Sequence, residues 1–136
     1  MVHQQIEFQL PKFQRGFHII SDLVLDQLNL PEQGLLNLFI KHTSAGLTIN
    51  ENADPSVLHD FEQSFNHIVR ENEPFYKHIF EGSDDMPAHI KSTMVGSSVS
   101  LPITDGQLNL GTWQGIYLCE FRNRASGRWL VATVTT

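Results

Sequence analysis

Residues Lys41 to Asn52, "KHTSAGLTINEN", follow the apolar run "LLNLFI" with an imidazole, two hydroxyls and a glycine, then amides and a carboxylate. Counting by twos from Leu36 through Leu38 and Ile40 puts His42 on the core-facing side of a strand. An imidazole there needs a hydrogen-bond partner or a ligand, because an unpaired buried polar group costs about 1–3 kcal/mol. Thr43, Ser44 and Gly46 offer hydroxyls and close backbone approach at the strand end. Asn50 and Glu51, one short strand later, are expected to return to the same neighbourhood. Asn52 is half explained as a helix-entry residue, since Asp54-Pro55 follows directly.

A second constellation is "HIFEGSDDMPAHIK". His78, Glu81 and His89 are imidazole and carboxylate groups of the kind that bind zinc or another transition metal. His89 and Lys91 lie near a helix start, where amide dipoles favour an anion. Asp84 and Asp85 are expected to cap that helix. A third is "LGTWQGIYLCEFR", in which Gln114, Ile116, Leu118 and Glu120 share one strand face. Glu120 demands a partner there, from Arg122 or a histidine. Gly111 and Gly115, flanking Thr112, Trp113 and Gln114, suggest close approach to a ligand or a neighbouring subunit. Cys119 reads as a small buried hydrophobe, since no adjacent base is indicated.

The elements that position these residues follow from periodicity. Ile6, Phe8 and Leu10 alternate in a first strand, and "RGFHII" reads as a second. Ser21 is expected to cap a short helix, "DLVLDQLNL", ending at Pro31 and Gly34. Strands follow over Leu36–Ile40 and Leu47–Asn50. The helix "DPSVLHDFEQSFNHIVREN" starts with Asp54 as its cap and Pro55 at its first position. Its apolar stripe is Val57, Leu58, Phe61, Phe65, Ile68 and Val69. A second helix covers "PAHIKSTMV" and stops at Gly96. Beyond it the text is β: an Asp105-Gly106 hairpin, then "WQGIYLCEFR" and "RWLVATVT". Pro102 is expected at an edge or bulge. The fold class is α+β, one domain over residues 1–136, with a largely antiparallel sheet system and a helical middle.

Composition bounds the function. The chain has 136 residues and a net charge of −6, with one cysteine. A single cysteine rules out an internal disulfide framework and makes a cytoplasmic location the expectation. The absence of any Lys/Arg block argues against nucleic acid, which relies on cationic phosphate contacts. No apolar run approaches the roughly 20 residues that span a bilayer, and "MVHQQIEFQL" lacks the layout of a signal peptide, so no membrane role is expected.

"HTSAGLTINENADP" resembles the signature of the YjbQ-like family, whose members are catalogued as secondary thiamine-phosphate synthases. The likeness continues through "HIFEGSDDMPAHIKSTMVGSS" and "DGQLNLGTWQGIYLCEFR", covering roughly residues 35 to 130. The last turn, "RNRASGRW", departs from the acidic residue and Gly-Pro-Arg segment common in the family; Arg128 is the best match for its basic residue. The resemblance implies a compact α+β subunit that forms a homotrimer and has a weak capacity to join the pyrimidine and thiazole halves of thiamine phosphate.

Three functions are therefore weighed. The first is C–N bond formation with loss of pyrophosphate on a small phosphorylated ligand. Here His42, Ser44, Glu51, His89 and Glu120 carry the chemistry. Thr43, Asn50, Lys91, Ser97, Thr112, Gln114 and Arg128 bind substrate. The second is a metal- or anion-dependent hydrolase or lyase. His42, His78 and His89 meet at one divalent metal, zinc or magnesium, with Glu51 or Glu120 as base. The third is a non-catalytic trimeric binding module whose aromatic residues form the interface.

Overall fold

A computed structural model describes all 136 residues. Its elements are β1 (Val2–Gln9), β2 (Gly16–Ile19), α1 (Ser21–Leu25), β3 (Gln33–Ile40), β4 (Ala45–Glu51) and α2 (Pro55–Ile68). They continue with α3 (Asp85–Val95), β5 (Ser98–Thr104), β6 (Gln107–Leu108), β7 (Gln114–Glu120) and β8 (Trp129–Thr135). The strands form two sheets, β1-β8-β3-β5-β6 and β2-β7-β4, and every pairing is antiparallel.

Alternation explains the layering. The even residues Leu36, Leu38 and Ile40 of β3 and Leu130, Ala132 and Val134 of β8 turn inward. They meet Leu47 of β4 and Ile116 and Leu118 of β7, forming the core between the sheets. The opposite face of β7 carries Tyr117 and Cys119, which pack with Phe17, Ala88 and Phe121 under Phe61 and Phe65 of α2. Thus the three-stranded sheet is apolar on both faces, with the larger sheet below it and α2 and α3 above. That arrangement is the expected α+β domain.

Several boundaries differ from the expectation, each for a local reason. α1 is only five residues long and has no side-chain cap; Ser21 Oγ instead accepts from the Ile116 N–H at 2.9 Å. α2 is as expected, with Asp54 accepting from Ser56 N–H at 2.9 Å and Pro55 at its first position. Its apolar stripe is half-buried and shorter than expected, because Ile68 is exposed. Asp105 and Gly106, with φ of 54° and 73°, make the tight turn between β5 and a β6 of two residues. The Pro102 carbonyl points to that short edge, where it accepts from Asn109 N–H. A proline costs no ladder bond there.

Gly46 and Gly96 set how α3 docks. A Cβ on Gly46 would lie 2.8 Å from the Gly96 carbonyl, the atom that accepts from Leu47 N–H. Gly96 itself ends α3 with φ 106°. The C-terminal end of the helix is therefore clamped onto β4, beside the turn that carries His42.

Candidate functional site

His78, Asp85 and His89 present their ligand atoms within 4.8 Å of one another. Asp85 opens α3 and His89 follows one turn later on the same face; His78 comes from the loop before the helix. Asp85 Oδ2 lies 2.5 Å from His78 Nε2 and 3.2 Å from His89 Nε2. The carboxylate's other oxygen accepts from Arg122 Nη1 at 2.6 Å. Arg122 also donates to Asp84 at 2.8 Å and to the Glu81 carbonyl, so one guanidinium fixes the entry to α3. Burial opposes ionisation of Asp85. The His78 hydrogen bond and the charges of Arg122 and His89 outweigh it and hold the carboxyl below its usual range.

The tautomer of His89 follows from its other partner. Its Nδ1 donates to the Thr43 carbonyl at 2.9 Å, because a carbonyl can only accept. That leaves the Nε2 lone pair facing a carboxylate oxygen at 3.2 Å. Two lone pairs at that distance call for a cation between them, a proton or a metal. A ring nitrogen anchored on a carbonyl while the other faces the site is also how metal-binding histidines are oriented.

His42 stands apart from this trio. β3 ends at Ile40, and the half-buried His42 ring replaces the next ladder partner of β8: its Nε2 accepts from the Trp129 N–H at 2.8 Å. His42 therefore does not join His78 and His89 as the sequence led one to expect; Asp85 stands with those two imidazoles instead. Burial and the charges of Arg128 and Lys41 push the His42 pKa down, against the opposing pull of Glu120. His42 and His89 nevertheless line one hollow of about 320 Å3, together with Thr43, Ala45, Ser92, Thr93, Gly96 and Ser97. On the other side His78 borders a second hollow, of about 340 Å3, with Tyr76, Ile79, Ser83 and Met86. The trio lies between the two.

The remaining candidates divide in two. Glu120 and Arg128 form a buried bidentate pair at 2.7 and 2.5 Å, and Arg128 also donates to Ser44 Oγ at 3.0 Å. A carboxylate so occupied is no free base, the guanidinium is no free phosphate ligand, and no base stands beside Ser44. These three brace the turn under His42. Lys91 is buried too, donating to Asn66 Oδ1 at 2.7 Å with its ammonium over the Phe121 ring, so it faces α2 and not the hollow. Asn50, Glu51, Thr112 and Gln114 lie at the far end of the smaller sheet. Glu51 pairs with Gln114, whereas Ala45, next to Ser44, pairs with Glu120. The seven residues of β4 separate the groups by roughly 20 Å. Asn50 and Glu51 therefore do not return to His42 within one chain. Cys119 is buried, and desolvation pushes its thiol pKa up, so it is an inert core residue.

Sequence reasoning misses Asp85 and Arg122 as site residues. Asp84 and Asp85 have the position of helix caps, but neither caps α3 through its side chain; both bind Arg122. The Asp85-to-His89 spacing of four, which puts carboxylate and imidazole on one helix face, is the available signal.

The family model described as "UPF0047 protein YjbQ-like" matches residues 4–136. The chain belongs to the YjbQ-like family. It is 50% identical over 123 residues to UPF0047 protein YjbQ of Escherichia coli O157:H7, covering 88% of each chain. It is 48% identical over 102 residues to UPF0047 protein sll1880 of Synechocystis, covering 75% of this chain and 69% of that one. Among solved structures it is similar to a conserved hypothetical protein of Thermus thermophilus, with a TM-score of 0.85 and 32% identity over 96% and 99% of the two chains. A YjbQ family protein of Clostridium acetobutylicum gives 0.81 and 36%, again over 96% and 99%. These likenesses span both sheets and both long helices of the YjbQ-like fold. No helix in the structure is long and apolar enough to cross a membrane.

Proposed function

We propose that this YjbQ-like chain is a metal-dependent enzyme, hydrolytic or lyase-like, acting on a small phosphorylated ligand. The observation that carries the reading is the convergence of His78, Asp85 and His89 between two hollows. The donor set fits a zinc-class ion. Donors about 2.0–2.1 Å from zinc stand roughly 3.3 Å apart in a tetrahedron, close to the 3.2 Å between Asp85 and His89. His78, half-exposed on a loop, needs only a small outward shift. Two imidazoles and one carboxylate favour zinc or a similar transition metal over magnesium, which prefers oxygen donors. Three protein ligands leave positions open, as catalytic sites do.

An ion held there would supply Lewis acidity toward a phosphoryl oxygen. The chain's own groups do the rest. Arg122 holds Asp85 in orientation, the Thr43 carbonyl holds His89, and the hydroxyl-lined hollow receives the ligand. A thiamine-phosphate-type condensation has less support. Lys91, the cation expected on the departing diphosphate, is turned into the core. The expected homotrimer is supported by the exposed Leu35 and Phe39 on the outer face of β3 and by Trp113, 64% exposed.

The test is to incubate zinc-loaded protein with a panel of phosphate esters and, separately, with the two thiamine-phosphate precursors. Phosphate release or elimination that disappears in Asp85→Asn supports the reading. Turnover indifferent to chelation and to Asp85→Asn refutes it.

A further inference from the structure

We propose that the hollow beside the metal trio is an oxyanion subsite. In it the His42 ring, fixed as its Nδ1–H tautomer, donates to a phosphoryl oxygen of the ligand. The assignment deepens the metal-dependent reading above and rests on it.

The tautomer is dictated by Trp129. A backbone N–H can only donate, so at 2.8 Å from Trp129 N the Nε2 of His42 must offer its lone pair. The one ring proton of the neutral imidazole is then on Nδ1. Trp129 is the first residue of β8, whose next residue, Leu130, pairs with Ile40 at the end of β3, so this donor is held by the larger sheet. Taking up a proton at Nε2 would break the bond to Trp129. His42 is therefore suited to be a fixed donor and unsuited to be a base or a metal ligand through Nε2.

The rest of the wall sorts into donors and acceptors by the same reasoning. The Thr93 hydroxyl donates back to the His89 carbonyl at 2.9 Å, and that of Ser92 to the Thr43 carbonyl at 2.6 Å. Both present lone pairs to the hollow. Thr43 and Ser97 keep hydroxyls for a ligand, and neither Lys nor Arg lines the cavity. The donors that remain are thus uncharged. An anion there would take its neutralising charge from an ion held at His89, which is a member of both the hollow and the trio. An uncharged donor beside a metal site is how a growing negative charge is held without placing a second cation against the first. Arg128, behind Ser44, is already paired with Glu120 and helps hold this turn in place.

The experiment uses full-length protein labelled with 15N-histidine and loaded with zinc, with inorganic phosphate as the probe. The ring nitrogen shifts of His42 report its tautomer directly. The expected result is a neutral Nδ1–H ring at pH 7 whose Nδ1 proton moves downfield as phosphate is added. His42→Leu should weaken phosphate binding at least about tenfold, the scale of one hydrogen bond to a charged group. His42→Asn, whose amide nitrogen occupies nearly the Nδ1 position, should keep it within about threefold. Zinc stoichiometry should be unchanged in both. An Nε2–H tautomer, or phosphate affinity indifferent to His42→Leu, overturns the assignment. If zinc does not bind, the metal reading fails by itself; phosphate that then leaves the wild-type His42 resonance unmoved overturns this one as well. Should the leucine variant not fold, the wild-type titration decides alone.

Discussion

His89 and Thr43 are joined by a 2.9 Å hydrogen bond that ties the middle of α3 to the turn after β3, across 46 positions of sequence. Ser92 Oγ reaches the same carbonyl at 2.6 Å. The helix that supplies two of the trio and the turn that supplies His42 are therefore one mechanical unit, which lets the group of His78, Asp85 and His89 and the neighbouring hollow share a wall.

A shared acceptor has a thermodynamic consequence. Losing one donor leaves the Thr43 carbonyl still tied to α3, whereas losing both removes the side-chain links between this turn and the helix. Ser92→Ala should cost about 0.5–1 kcal/mol, and His89→Ala combined with it more than the sum of the two single changes. Urea denaturation of metal-free single and double variants measures this. Simple additivity would contradict it.

Glu120 and Arg128 are both buried and bidentate. Arg128→Met should destabilise by about 3–5 kcal/mol, because it strands a carboxylate in the core. Adding Glu120→Leu should recover most of that loss. Thermal denaturation of the two variants checks both steps. An Arg128→Met protein of wild-type stability would show the pair to be dispensable.

Lys91 is buried without a carboxylate partner. Burial first, and then the Arg15 charge, depress its pKa to about 8, against the opposing charges of Glu62, Glu71 and Asp84. Between pH 8 and the ordinary lysine value of 10.5 the unfolded chain holds a proton the folded one has released. Folding stability should therefore rise with pH across that window, by something on the order of 1–3 kcal/mol. Lys91→Met should flatten the rise. Chemical denaturation at pH 7.5, 9 and 10 separates the two proteins.

The acid limb has the opposite origin. Asp84 and Asp85 are both held below their ordinary 3.8. Burial pushes each the other way, but it is outweighed by the Asn123 amide and then Arg122 at Asp84, and by the His78 hydrogen bond and then the charges of Arg122 and His89 at Asp85. With folded values below unfolded ones, their contribution is present above about pH 4 and lost as pH falls through the folded values. Arg122→Ala should reduce stability at neutral pH and raise the midpoint of acid unfolding, followed by circular dichroism.

Much of the fold is legible in the sequence because it rests on local rules. Alternation locates the strands around Leu36–Ile40 and Ile116–Glu120, and Asp54-Pro55 fixes the start of α2. The α1 boundary fails because Ser21 is claimed by a distant backbone amide on β7, a partner no window of sequence displays. For the site, sequence identifies His42, His78, His89, Thr43 and Ser97 as residue types that could do chemistry, and the structure brings them around adjoining hollows. It cannot sort Glu120, Arg128 and Lys91, because burial and pairing decide whether a charge is available. Nor can it display that β4 carries Glu51 away from His42. Asp85 is hidden by its position: an acid at a helix start has a sufficient local explanation, and only Arg122 and the two imidazoles show its other use.

The most direct measurement is calorimetric titration of zinc into metal-free protein, beside Asp85→Asn and His89→Ala. One tight site per chain in the wild type is predicted, weakened by at least about tenfold in either variant. Binding that is absent, or unaffected by both substitutions, would contradict the assignment of His78, Asp85 and His89 as a metal centre.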